Sequence, residues 1–254
     1  MTMTLADFHF DWSLMGPPLL AGLLVASTHV LLGRRVLERG IIFIDLTIAQ
    51  VAALGVILAG IGDGGGGIAT QIAAAIAALA AAALLTWTEH QFRKLQEALI
   101  GSLYVLSACV AILVLAHNPH GAEHMQELLA GQILWVSYTQ LWPVAILYAV
   151  ILLLWFAVVR TRPSLFYFLF ALTVMASVQL VGVYLVFATL IMPAIATSAL
   201  PEKRGLPVGY LIAGAGYALG LWLSVPFDLP AGPFIVCVLA SLVIVTGIVR
   251  KLRG

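Results

Sequence analysis

Long apolar runs separated by short polar breaks dominate this chain. A helix needs about 20 apolar residues to cross the hydrocarbon core of a bilayer. On that ruler the sequence predicts membrane segments at 17–33, 41–61, 66–87, 98–116, 134–159, 164–200, 207–225 and 233–249. The stretch 164–200 is too long for one crossing, since at 1.5 Å per residue it would extend more than about 50 Å. It therefore predicts two short spans, or a span plus a re-entrant piece, with Gly182 as the break. The predicted fold class is all-α: a polytopic membrane helix bundle of eight or nine segments, in one membrane domain over 1–254.

Composition agrees with this pattern. Of 254 residues 63% are hydrophobic and 9% charged, whereas a soluble domain carries roughly a quarter charged residues. The excess apolar surface has to face lipid. Residues 1–16 have neither the basic start nor the small-residue cleavage site of a signal peptide, so the first apolar stretch is expected to remain as a span. The net charge of +1 gives no reason to expect a nucleic-acid partner. Cys109 and Cys237 lie in apolar runs and read as small hydrophobes.

The placement of charge predicts topology. All twelve Lys and Arg fall at Arg34/Arg35/Arg39, Arg93/Lys94, Arg160/Arg162, Lys203/Arg204 and Arg250/Lys251/Arg253. The alternate connections hold Asp7, Asp11, Asp63, Glu123, Glu127 and Asp228 instead. The positive-inside rule then puts the N-terminus outside and the C-terminus in the cytoplasm. Two small-residue stretches, Ala73–Ala83 and Gly216-x-x-x-Gly220, allow close helix approach, either within the chain or across a dimer.

Three stretches carry a resemblance: Val36-Leu-Glu-Arg-Gly-Ile-Ile-Phe-Ile-Asp45 running on to Ala53-Leu-Gly55, Val178-Gln-Leu-Val-Gly-Val-Tyr-Leu-Val-Phe-Ala-Thr-Leu-Ile-Met-Pro-Ala194, and Asp228-Leu-Pro-Ala-Gly-Pro-Phe-Ile-Val236. Their order and spacing resemble the permease subunits of ABC importers for zinc, manganese and related metals, over nearly the whole chain. The resemblance implies a type II importer-like homodimer in a bacterial inner (plasma) membrane. It also implies a separate ABC ATPase chain and a periplasmic or lipoprotein solute-binding protein that delivers the metal. No permanently bound cofactor is implied; the divalent metal, with zinc preferred and manganese or iron next, is cargo.

Two departures from the family pattern bear on the site. The family follows the Asp of the first stretch with a His four residues on; here Ala49 follows Asp45, and counting back from Gly55 puts Gln50 in the His slot. A one-residue π-bulge would be needed to bring Gln50 beside Asp45. The cytoplasmic stretch after the fifth span is also short, Arg160-Thr-Arg-Pro-Ser164, so Thr88–Ala98 offers an alternative docking surface for the ATPase. The candidate coupling residues are Arg93, Lys94, Arg160 and Arg162.

Asp45 is the sole acidic residue placed within a predicted span, and an ionised group there is costly. It reads either as a metal site on the pathway or as a carboxylate paired with Arg35 or Arg39. Gln50, His29 and Gln179 are further pathway candidates, each also readable as a hydrogen-bonding packing residue. His117, His120, Glu123 and His124 gather in one outer connection, a donor set that suits a borderline metal. The alternative function is a proton-coupled secondary transporter or a channel for a small cation. One intramembrane carboxylate and no visible internal repeat count against it. No Walker-type loop, HExxH or GxSxG occurs, so the chain reads as a transport subunit without its own ATPase or hydrolase chemistry.

Overall fold

The computed structural model describes residues 12–63, 67–115, 129, 131–159, 165–225 and 229–253. The described residues form nine α-helices: α1 (Trp12–Arg39), α2 (Ile44–Asp63), α3 (Ile68–Gln91), α4 (Gln96–Leu115), α5 (Tyr138–Leu154), α6 (Phe166–Val181), α7 (Val183–Thr197), α8 (Glu202–Ser224) and α9 (Ala231–Arg253). No strand occurs among the described residues. Hydrocarbon offers no partner to a bare amide, so helices that satisfy their own backbone are the expected solution.

Six helices are long and apolar enough to cross a membrane: α1, α3, α4, α5 with its extension to Ala157, α8 and α9. The other three, α2, α6 and α7, are shorter in their apolar part. The stretch 164–200 is broken where the sequence places the break. Gly182 adopts φ +82°, in the left-handed region that side chains other than hydrogen disfavour, and separates α6 from α7. These helices have 16 and 15 residues, or about 24 and 22 Å each, less than the roughly 30 Å hydrocarbon core.

The chain divides into two compact units. The first comprises Met1–Glu38, Ala130–Ile146 and Leu180–Gly254. Within it α9 packs on α7 and α8, and α7 packs on α8. Gly216 and Gly220 are used here: a Cβ at Gly216 would lie 2.3 Å from Leu239 Cδ2, and one at Gly220 2.8 Å from the Ile235 Cα. The small-residue face of α8 is thus spent on packing α9 inside the chain. Gly33 of α1 is tighter still, since a Cβ there would sit 1.9 Å from the Leu190 carbonyl oxygen. Hydroxyls add direction: Thr189 and Tyr217 share a hydrogen bond of 2.7 Å, and Tyr210 donates to the Ser27 carbonyl at 2.9 Å. Arg34 ties α1 to the end of α7 within this unit, donating to the carbonyls of Thr197 and Leu200 at 3.0 and 3.1 Å.

The second unit comprises Arg39–Leu129 and Leu147–Gln179. α2 packs against α3 and α4. The alanine run of α3 provides the seat: Ala74, Ala78, Ala81 and Ala82 are buried, and a Cβ at Gly55 of α2 would lie 2.8 Å from the Ala73 oxygen. Both small-residue stretches read from the sequence therefore serve packing within a unit. The far faces of α3 and α4 remain apolar and open, with Ile76, Leu106 and Leu113 all exposed. Such surface is compatible with lipid, which is as apolar as a leucine side chain. α5 ends in a π-helical turn, Trp155–Val159. A buried hydroxyl seam joins α5 to α6, where Tyr148 bonds Ser177 and also reaches the Thr173 carbonyl at 3.3 Å.

Candidate functional site

Asp45 lies in the first turn of α2 and is 1% exposed. Its turn is fixed from several sides. Thr47, two residues on, donates a hydroxyl shared between the Phe43 carbonyl at 3.0 Å and the Ile100 carbonyl of α4 at 2.9 Å. Glu97, in the first turn of α4, accepts from the Phe43 amide at 3.4 Å. This carboxylate meets an amide that the start of α2 leaves unused, so it acts as a cap supplied by another helix.

Neither carboxylate oxygen of Asp45 has a hydrogen-bond partner among the described residues. The ion pairs that the sequence left open do not form. Arg35 pairs with Glu38 at 2.9 Å and approaches Glu202 at 3.8 Å, and Arg39 lies over the Phe166 ring at 4.3 Å. What Asp45 has is position: it sits at the N-terminal end of α2, where the aligned peptide dipoles favour negative charge.

Gln50 is buried as well, 2% exposed, but not beside Asp45. α2 runs as uninterrupted α-helix from Ile44 to Asp63, with no π-bulge between the two residues. They therefore point about 140° apart around the axis. The position that shares the Asp45 face, four residues on, is Ala49, which is buried and offers no ligand. The π-bulge that would be needed to bring Gln50 beside Asp45 does not form: α2 is regular α-helix whose backbone is already satisfied.

His29 is fully buried on α1, in the first unit. Its Nδ1 lies 2.9 Å from the Val25 carbonyl oxygen and 3.1 Å from the Thr28 hydroxyl. A carbonyl can only accept, so Nδ1 carries the proton and the lone pair resides on Nε2. Gln179 stands exposed in the last turn of α6, its amide 3.5 Å from the Met175 sulfur. Arg93 is exposed in the single 3₁₀ turn Arg93–Leu95 between α3 and α4, a turn that also contains Lys94. His117, His120, Glu123, His124, Arg160 and Arg162 lie outside the described residues. Among the described residues no group of three or more His, Cys, Asp and Glu could hold a metal ion. Asp45 belongs to no such group.

Sequence reasoning missed the supporting polar groups: Thr47, Glu97 as a cap, and the Tyr148–Ser177 seam. The pair Thr173/Ser177, spaced by four on an apolar helix, was the available signal for the last of these.

Fold and site together define a polytopic, all-helical membrane protein with a buried acidic group at the end of a short inner helix. The chain belongs to the ABC 3 transport family, whose profile matches residues 11–163 and 158–250. It is 27% identical to a Haemophilus influenzae protein named "Probable iron transport system membrane protein", covering 96% of this chain and 99% of that one. It is also 27% identical to the manganese transport system membrane protein MntC of Halalkalibacterium halodurans, over 94% of this chain and 90% of that one. Among solved structures it is similar to PsaBC from Streptococcus pneumoniae in complex with Fab, with a TM-score of 0.73 at 23% identity, covering 95% of this chain and 92% of the other. That likeness shows a shared fold.

Proposed function

We propose that this chain is the membrane-spanning permease of an ATP-driven importer that carries a divalent first-row transition metal into the cell. The observation that carries the reading is Asp45: a buried carboxylate with no hydrogen-bond partner among the described residues, inside a membrane helix, in a chain of a transport family. Its retention against the cost of burial is explained if a cation passes it. The names of the two relatives move the preferred cargo from zinc to manganese or ferrous iron.

The rest of the machinery follows from this reading. The chain works as a homodimer, an ABC ATPase on a separate chain supplies the energy, and a solute-binding protein delivers the metal from outside. All nine helices cross or nearly cross the membrane, with the N-terminus outside and the C-terminus in the cytoplasm of a bacterial inner membrane. The Lys and Arg clusters at the ends of α1, α3, α7 and α9 support this orientation.

The test is uptake of manganese, ferrous iron and zinc into vesicles that contain the permease with its co-expressed ATPase. Manganese or iron should accumulate only with ATP, and Asp45→Asn should abolish accumulation while the complex still assembles. Uptake that needs no ATPase and follows a proton gradient would replace this reading with a secondary transporter.

A further inference from the structure

Arg39 is the first residue of the second unit, and the left-handed Gly40 (φ +70°) follows it directly. Nothing lies within 4 Å of where a Gly40 Cβ would be, so this joint is unobstructed. The arginine does not form an ion pair among the described residues. Its guanidinium rests instead on the ring of Phe166, 4.3 Å from the centroid, with Tyr167 at 5.9 Å. Glu89 is the acidic group facing the same Tyr167.

Phe166 opens α6 and is buried. It stacks on Phe170 with centroids 5.4 Å apart and planes 25° apart, and meets Trp155 edge-on at 6.0 Å. Trp155 begins the π-turn that ends α5. One ring, Phe166, thus joins the end of α5, the start of α6 and the arginine six residues before Asp45. On its other side the Asp45 turn is held to α4 by Glu97 and Thr47. The connection bracketed by Trp155 and Phe166 contains Arg160 and Arg162, which charge placement assigns to the cytoplasmic side.

The geometry points to the Arg39–Phe166 stack as the contact through which a displacement of the start of α6 reaches the turn that holds Asp45. Displacing the start of α6 moves the ring under the guanidinium. Arg39 and Gly40 then carry that movement into the first turn of α2, with Gly40 as the pivot. Arg39 and Phe166 are positioning residues in this account, and the account rests on the ATP-driven reading given above. A cation on a ring suits the role because it holds laterally without a fixed donor–acceptor line, so it can slide without breaking.

The experiment measures ATP hydrolysis and ATP-driven manganese uptake together, in vesicles containing the permease with its ATPase. Four variants are compared: Arg39→Met, Arg39→Lys, Phe166→Leu, and the double change Arg39→Met with Phe166→Leu. Arg39→Met, at a half-exposed position, keeps the stem and removes the cation. Uptake should fall about 5- to 30-fold in Arg39→Met and Phe166→Leu with hydrolysis and assembly retained, as expected for losing a partly desolvated cation–π contact. Arg39→Lys should stay near the parent, and the double variant should be no worse than either single change. Singles that match the parent would overturn the inference, as would hydrolysis falling in step with uptake or losses that multiply. A parent without ATP-driven uptake would instead refute the function on which the inference rests, whereas normal parent uptake with insensitive variants would refute the coupling contact alone.

Discussion

Replacing Asp45 by asparagine separates the role of charge from the role of shape. The variant keeps the side chain's size and removes a carboxyl group that, if held ionised, has no hydrogen-bond partner for its charge among the described residues. Insertion scales place such a group at about 2.5–3.5 kcal/mol in a helix centre. The N-terminal dipole of α2 returns about 0.3–2 kcal/mol of that. The new amide brings donors, and a buried donor left without an acceptor costs about 1 kcal/mol. The balance is about 1 kcal/mol in favour of the variant, which for a chain of 254 residues corresponds to a melting temperature higher by about 2–4 °C. Thermal unfolding of the purified complex in detergent, followed by monodisperse elution, measures it. Transport should move the opposite way and collapse. A variant that melts lower while still taking up metal would refute the reasoning, since the carboxylate would then be a structural partner of something in the fold. An unchanged melting temperature would mean that the group is not held as a bare ion.

Further outcomes test other parts of the account. The triple change His117→Ala, His120→Ala, His124→Ala should raise the half-saturating metal concentration and leave the maximal rate nearly unchanged. Imidazole must be neutral to bind metal and has a pKa near about 6.5, so the defect should be larger at pH 7.5 than at pH 5.5. Gly33→Ala should destabilise by about 1–3 kcal/mol or more, because its Cβ would strike the Leu190 carbonyl; detergent melting curves would show it. In a cysteine-free background, Asp63→Cys should react with an impermeant thiol reagent from outside, whereas Arg93→Cys and Lys203→Cys should not.

The break at Gly182 was legible because an unbroken 164–200 helix would overshoot the bilayer by a wide margin. The alanine run and the Gly216/Gly220 pair were legible as close-packing faces, because small side chains are the means by which helices approach in lipid. The division into buried and lipid-facing helices was not legible. α2, α6 and α7 are inner helices while α4 is exposed along most of its length, yet all four are apolar all round. In water an exposed face announces itself by polarity, and in a bilayer it does not. The surroundings of Asp45 were hidden for a related reason. Arg35 and Arg39 lie close to Asp45 in sequence, and that nearness suggested a salt bridge, whereas Glu38 one turn along α1 and an aromatic ring claim them in the fold.

Arg34 ties biosynthesis to this architecture. α7 ends without a capping glycine, and the carbonyls of Thr197 and Leu200 are covered by a guanidinium from α1, 163 and 166 positions earlier in the chain. During synthesis that arginine emerges at the end of the first helix, long before its acceptors exist. It must wait at the interface, solvated, until the seventh helix arrives and replaces its water. These contacts of Arg34 can thus form only after nearly four-fifths of the polypeptide, through Leu200, has been made. A nascent chain arrested before Leu200 would leave Arg34 without those acceptors, a state that a quality-control protease could recognise as unfinished.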